Sequence, residues 1–129
     1  MGTIKSPSLM NRIYQGPYGN LSVHKTYVLL KAAAANSVVE LSELPIGMEL
    51  LGIRILTTGL GTGVKVTVKS GDKELVKDVD VSAALATTTP VLPYYVGKNE
   101  SNEMLTATIT GGAATGELNV LAEYSFVGY

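Results

Sequence analysis

Few residues in this chain are of a type and spacing that could do chemistry. The run "GLGTGVKVTVKSGDKEL" at 59–75 holds three glycines within five positions, with lysines soon after, as a phosphate cradle would. Such a cradle needs a strand before the glycines and a helix opening after them, so that backbone N–H groups meet the anion. Here Val64, Val66 and Val68 follow at once and alternate with Lys65, Thr67 and Lys69. That is the period of a strand with one buried face. β-Branched residues are poor helix formers, and no Gly-Lys-Ser/Thr triplet stands at the required offset. The glycines are therefore turn residues, and "SGD" at 70–72 is the next turn.

His24 is the single histidine and cysteine is absent, which leaves little for a His-based metal site and nothing for a Cys–His pair. No serine lies in a Gly-x-Ser-x-Gly elbow, so His24 is expected to be an ordinary strand residue. Asp78 and Asp80 stand two apart, on one face of a regular strand, where a pair could hold a cation. Exposed strand carboxylates have the same spacing, and that is the expectation here. Glycosidase chemistry wants two carboxylates across a cleft beside an aromatic platform, and the chain has no tryptophan. No catalytic residue, metal or cofactor is expected.

The tyrosines are more informative, seven against one phenylalanine. Tyr14 and Tyr18 lie near the start, Tyr94 and Tyr95 in the proline-containing "VLPYYV", and Tyr129 at the end. Tyrosine suits protein-binding surfaces, because its body packs while its hydroxyl stays hydrogen-bonded. Each ring could equally fill a gap in the core.

The elements that must carry these residues repeat one rhythm. "ELLGIRILTT" sets Leu51, Ile53 and Ile55 opposite Arg54, and "VDVSAAL" sets Val79, Val81, Ala83 and Leu85 opposite Asp80 and Ser82. "MLTATIT" alternates Leu105, Ala107 and Ile109 with threonines. After "GGAATG", "ELNVLAEYSF" places Leu118, Val120, Ala122, Tyr124 and Phe126 on one face. The last two runs are expected to form an antiparallel hairpin. "LSVHKTYVLLK", "SVVEL" and "VLPYYV" add three strands, the last short or at an edge because of Pro93. "KAAAAN" is too short to nucleate a helix and is expected to be a turn. About eight strands at this spacing predict an all-β, antiparallel sandwich or small barrel.

With 129 residues the chain has the length of one domain and can bury roughly two-thirds of its unfolded surface. Its net charge of −1 gives no general attraction to nucleic acid or anionic lipid. No run approaches the ~20 apolar residues of a membrane helix. Nor does the opening contain an apolar run of signal-peptide length, so secretion is not expected. Charged residues make up 16% against 46% apolar, low for a surface wet on every side; abundant alanine and glycine account for part of this, and buried partner contacts could account for the rest. Residues 1–20 differ in kind from 21–129. They hold two prolines and two of the tyrosines without sustained alternation, yet carry the apolar anchors Ile4, Ile13, Tyr14 and Tyr18. Such an arm is expected to lie across its own body or a neighbour.

The opening "SPSLMNRIYQGPYGNLSVHKTYVL" and the later "LPIGMELLGIRI" resemble small virion structural proteins of tailed bacteriophages. More narrowly, the chain resembles jelly-roll cement, or decoration, proteins of phage heads. The resemblance implies a jelly-roll-like β-sandwich made in the host cytoplasm and bound to the outer capsid surface. There it would bridge subunits of the major capsid protein, and this chain would itself be a homo-oligomer, a dimer or trimer. The arm would dock through Ile4, Ile13, Tyr14 and Tyr18, with Tyr94 and Tyr95 as further partner contacts. Low charge, abundant Thr and Ala and absent cysteine fit such a structural part better than an enzyme. A tail or head–tail connector component is the alternative within the virion, and a carbohydrate-binding module the alternative outside it.

Overall fold

The computed structural model describes residues 3–7, 9, 21–97 and 101–126. They form nine strands: β1 (Thr3–Lys5), β2 (Leu21–Ala33), β3 (Val38–Leu44), β4 (Met48–Thr57), β5 (Lys65–Ser70), β6 (Lys73–Asp80), β7 (Leu85–Tyr95), β8 (Glu103–Thr110) and β9 (Ala114–Phe126). One sheet has the order β1-β3-β8-β5-β6 and the other β2-β9-β4-β7. Every pairing is antiparallel except β1 with β3.

The pairings nest. β5 pairs with β6, β4 with β7, β3 with β8 and β2 with β9. The chain is thus one long antiparallel ribbon, turned at Gly71 and rolled so that successive pairs fall on alternate sheets. Additional pairings of β8 with β5 and of β9 with β4 complete the sheets. This is a jelly roll: the all-β sandwich expected from the alternation, in the form that the resemblance implied.

Rolling explains one failed expectation. β8 and β9 do not form a hairpin; they lie in opposite sheets. Each strand turns an apolar row inward, with Leu105, Ala107 and Ile109 on one and Leu118, Val120 and Ala122 on the other. Facing each other across the core buries both faces, whereas a hairpin would align them side by side and leave both needing a cover. The crossing is made at Gly111, at φ +89°, where a Cβ would stand 2.0 Å from the carbonyl oxygen of Gly63. The glycines at 59, 61 and 63 all take positive φ. They shape the turn before β5, and a strand follows, so the run is no phosphate cradle.

Three further details differ from the alternation. In β4 the register slips between Leu50 and Gly52 on both sides, so Met48 and Leu50 face the core before the slip and Ile53 and Ile55 after it. Leu51, expected inside, is only half-buried. "VDVSAAL" is not one strand: β6 ends at Asp80, a turn exposes Ala83, and β7 starts at Leu85 on the other sheet. β7 is an edge strand, as Pro93 requires, but it is 11 residues long rather than short, because a sheet edge leaves the missing N–H no ladder partner to lose.

Candidate interaction surface

The residues capable of chemistry serve the interior or the turns. His24 points inward from β2, and its Nε2 lies 3.1 Å from Ser42 Oγ on β3. Burial lowers the His24 pKa, and Ser42 has no exposed surface, so the pair is closed to any substrate. Asp78 sits at a bulge in β6 with φ +52°, which breaks the alternation that would set it beside Asp80. The Asp80 carboxylate accepts hydrogen bonds from the Ser82 N–H (3.0 Å) and hydroxyl (2.7 Å), which hold its pKa below the usual value. Among the described residues no three His, Asp or Glu side chains cluster as a metal site.

A buried carboxylate that the sequence reading did not single out ties the two sheets together. Glu103 of β8 accepts from Ser70 Oγ of β5 at 2.8 Å and from the Tyr94 hydroxyl of β7 at 2.9 Å. The signal was present: Glu103 is in phase with the inward Leu105, Ala107 and Ile109. The Tyr94 phenol is pushed up to about 12, first by burial and then by its bond to Glu103. The unfolded chain ionises near the ordinary 10.0, so this contribution to stability is complete below pH 10 and is lost as pH rises through 12. Denaturant titrations between pH 9 and 11.5 should show stability falling with pH in the parent and a shallower fall in Tyr94→Phe. Equal slopes would dismiss the coupling.

The tyrosines and arm residues divide accordingly. Tyr94, expected at a partner surface, is only 9% exposed, because its hydroxyl finds its acceptor inside. Tyr95 is half-buried on β7 opposite Glu49. Ile4 lies on β1 and packs against the chain's own core. Beside it Lys5 pairs with Glu40, the Ser6 N–H donates to the Glu40 carbonyl at 3.0 Å, and Ser6 Oγ donates to the Tyr27 carbonyl. The start of the arm is therefore fastened to β3 and to β2. Ile13, Tyr14, Tyr18 and Tyr129 lie outside the described residues.

The two outer faces of the sandwich differ. The five-stranded sheet turns Lys5, Glu40, Lys65, Glu74, Thr106 and Thr108 outward. The four-stranded sheet carries all the exposed large apolar side chains among the described residues: Leu21, Val23, Tyr27 and Leu29 on β2, Leu56 on β4 and Leu92 on β7. Isolated surface leucines are ordinary, but a face that collects them marks a contact.

No protein-family model matches the sequence, and no curated protein matches it significantly. Solved structures do match. A chain in the capsid of Ralstonia phage GP4 superposes with a TM-score of 0.70 at 17% identity, over 95% of this chain and 97% of that one. A chain of the cyanophage Pam1 capsid asymmetric unit gives 0.66 at 19% identity, over 93% and 94%. The fold is shared with chains of two phage capsids. Since nearly all of both chains is covered each time, the two capsid chains are close to this one in length.

Proposed function

We propose that this chain is a non-enzymatic structural protein of a tailed-phage virion, a cement protein that binds the outer head surface and bridges shell subunits. The observation that carries this reading is the end-to-end match, in both directions, with chains of two phage capsids. A closed β-sandwich suits the task, because a shell under the pressure of packaged DNA needs rigid cross-braces. Weak contacts repeated over a lattice then add up through multivalency. The partner is the major capsid protein, and the protein's place is the virion exterior.

In this proposal Ile13, Tyr14 and Tyr18 dock on the shell, while Ile4 and Ser6 fasten the arm to its own body. Replacing Ile13, Tyr14 and Tyr18 together by serine should leave the melting temperature unchanged and weaken co-sedimentation with heads of the same phage at least tenfold. Buried aromatic and aliphatic anchors contribute ~1 kcal/mol or more each at an interface. Binding as tight as the parent's would remove the arm from the mechanism. A parent that does not sediment with heads would remove the cement role itself.

A further inference from the structure

We propose that the cleft between the β5–β6 turn, the end of β7 and the start of β8 binds a primary alkylammonium group, with the Glu103 carboxylate as its floor. Gly71, Asp72, Lys73, Tyr94, Glu103 and Met104 line this cleft, whose volume of about 500 Å³ falls within the ~300–1,000 Å³ of small-molecule sites. It shares no residue with the arm or with the exposed apolar side chains of the four-stranded sheet.

Counting protons at the floor shows what is missing there. Glu103 is only 7% exposed, and it has no ion-pair partner among the described residues. A carboxylate offers about four lone-pair positions, while Ser70 and Tyr94 bring one proton each. Oε1 accepts from Ser70 Oγ at 2.8 Å and lies nearer the Tyr94 hydroxyl, at 2.9 Å. Oε2 stands 3.1 Å from that same hydroxyl and has no second donor among the described residues. A buried carboxylate short of both donors and counter-charge is costly to hold, and a cation that donates to Oε2 supplies both. Gly71 keeps the approach open: its φ of +57° suits a glycine, and a Cβ there would stand 3.3 Å from Oε1. The Gly71 N–H donates to the Met104 carbonyl at 3.0 Å, which sets Asp72 at the mouth. The Tyr94 phenol feels both carboxylates, since after burial and the Glu103 contacts the Asp72 charge also raises its pKa.

The acceptors select the kind of cation. An ammonium has three diverging protons and wants three separate acceptors: Glu103 Oε2, the Tyr94 hydroxyl oxygen and the Asp72 carboxylate. A guanidinium fork wants both oxygens of one carboxylate in its plane, and Oε1 is already filled. Asn102 Oδ1, on the same wall, is taken by the Ile46 N–H at 3.0 Å. The Met104 side chain and the Tyr94 ring give an alkyl stem an apolar wall. Asp72 and Glu103 against Lys73 leave one net negative charge on the lining, which matches a monovalent group. A lysine side chain of a neighbouring protein and a free alkylamine carry this same group.

Titration of the ¹⁵N-labelled chain with n-butylammonium chloride, at neutral pH and constant ionic strength, tests this without any capsid, so its failure leaves the virion role standing. The amide signals of Gly71, Asp72, Ser101 and Met104 should shift saturably, with a Kd of about 1–10 mM for so small a ligand. Nα-acetyl-lysine methylamide, run in parallel, separates the two sources. Binding of both probes shows that a peptide-borne lysine enters, and binding of butylammonium alone assigns the site to free amines. Tetramethylammonium has the charge without the N–H groups and should leave these signals in place. Glu103→Gln should weaken butylammonium binding at least tenfold and Asp72→Asn at least threefold, each with unchanged far-UV circular dichroism. If Glu103→Gln does not fold, Asp72→Asn and the tetramethylammonium comparison still decide. No saturable shift up to tens of millimolar would overturn the proposal. Equal shifts with tetramethylammonium, or binding that survives both substitutions, would overturn it as well.

Discussion

Val66→Asp is expected to yield no folded protein, while Lys65→Asp folds and melts within a few degrees of the parent. Val66 has no exposed surface and lies on β5 between Ile109 of β8 and Val79 of β6. A carboxylate there meets only apolar neighbours. Holding it, charged or protonated, without partners costs several kcal/mol, and the lost valine burial adds ~1.5 kcal/mol or more. The sum approaches the whole stability of a domain, about 5–15 kcal/mol. Lys65 is exposed on the same strand and stands opposite Asp80, so its reversal sets two carboxylates across a strand pair for roughly 0.2–1 kcal/mol. Circular dichroism and thermal melting of the purified variants decide the matter. Identical behaviour of the two would refute the facing assigned to residues 64–68.

Glu103→Ala should be the most damaging change of a polar side chain, lowering stability by about 3–5 kcal/mol, with Glu103→Gln well below that. Alanine strips the Ser70 and Tyr94 hydroxyls of their shared acceptor, and a buried hydroxyl left short of a partner costs ~1–3 kcal/mol. Glutamine keeps one carbonyl oxygen in place. Because Ser70 is on one sheet and Tyr94 on the other, the loss falls on the joint between sheets. Urea unfolding measures it directly. If alanine and glutamine cost the same, and less than ~1 kcal/mol, the carboxylate is not holding that joint.

The inner face of each strand was legible in the sequence because side chains alternate with period two wherever one face is buried. Leu105 through Ile109 and Leu118 through Tyr124 fall inside as the alternation requires. The slip at Leu50–Gly52 was invisible, since Leu50 and Leu51 are both apolar and either could lead the inward set. Strand partners were less legible than strand faces. The β8–β9 hairpin was inferred from adjacency, and adjacency misleads in a jelly roll, where a strand pairs across the nested ribbon. Glu103 stood openly at an inward position, but its role depends on Tyr94 and Ser70, brought to it from two other strands. The apolar outer face of the four-stranded sheet was missed for the same reason: Tyr27, Leu56 and Leu121 become neighbours only when β2, β9 and β4 are laid side by side. The low charge content hinted that such a face existed without locating it.

The nested ribbon also sets the order in which the chain can acquire structure. Among the described residues β5–β6 is the only pair of consecutive strands within one sheet, so the turn at Gly71 is where local zipping can begin. Each later pair joins segments farther apart, ending with Leu21 against Ser125, and loop-closure entropy makes such high-contact-order topologies slow to form. During synthesis the consequence is sharper. β2, β3 and β4 leave the ribosome before β7, β8 and β9, and apart from the short β1 they have no sheet neighbour until those strands follow. For that interval their apolar faces stand open, and wherever two nascent chains meet, each must be kept from pairing with the other before it can pair with itself.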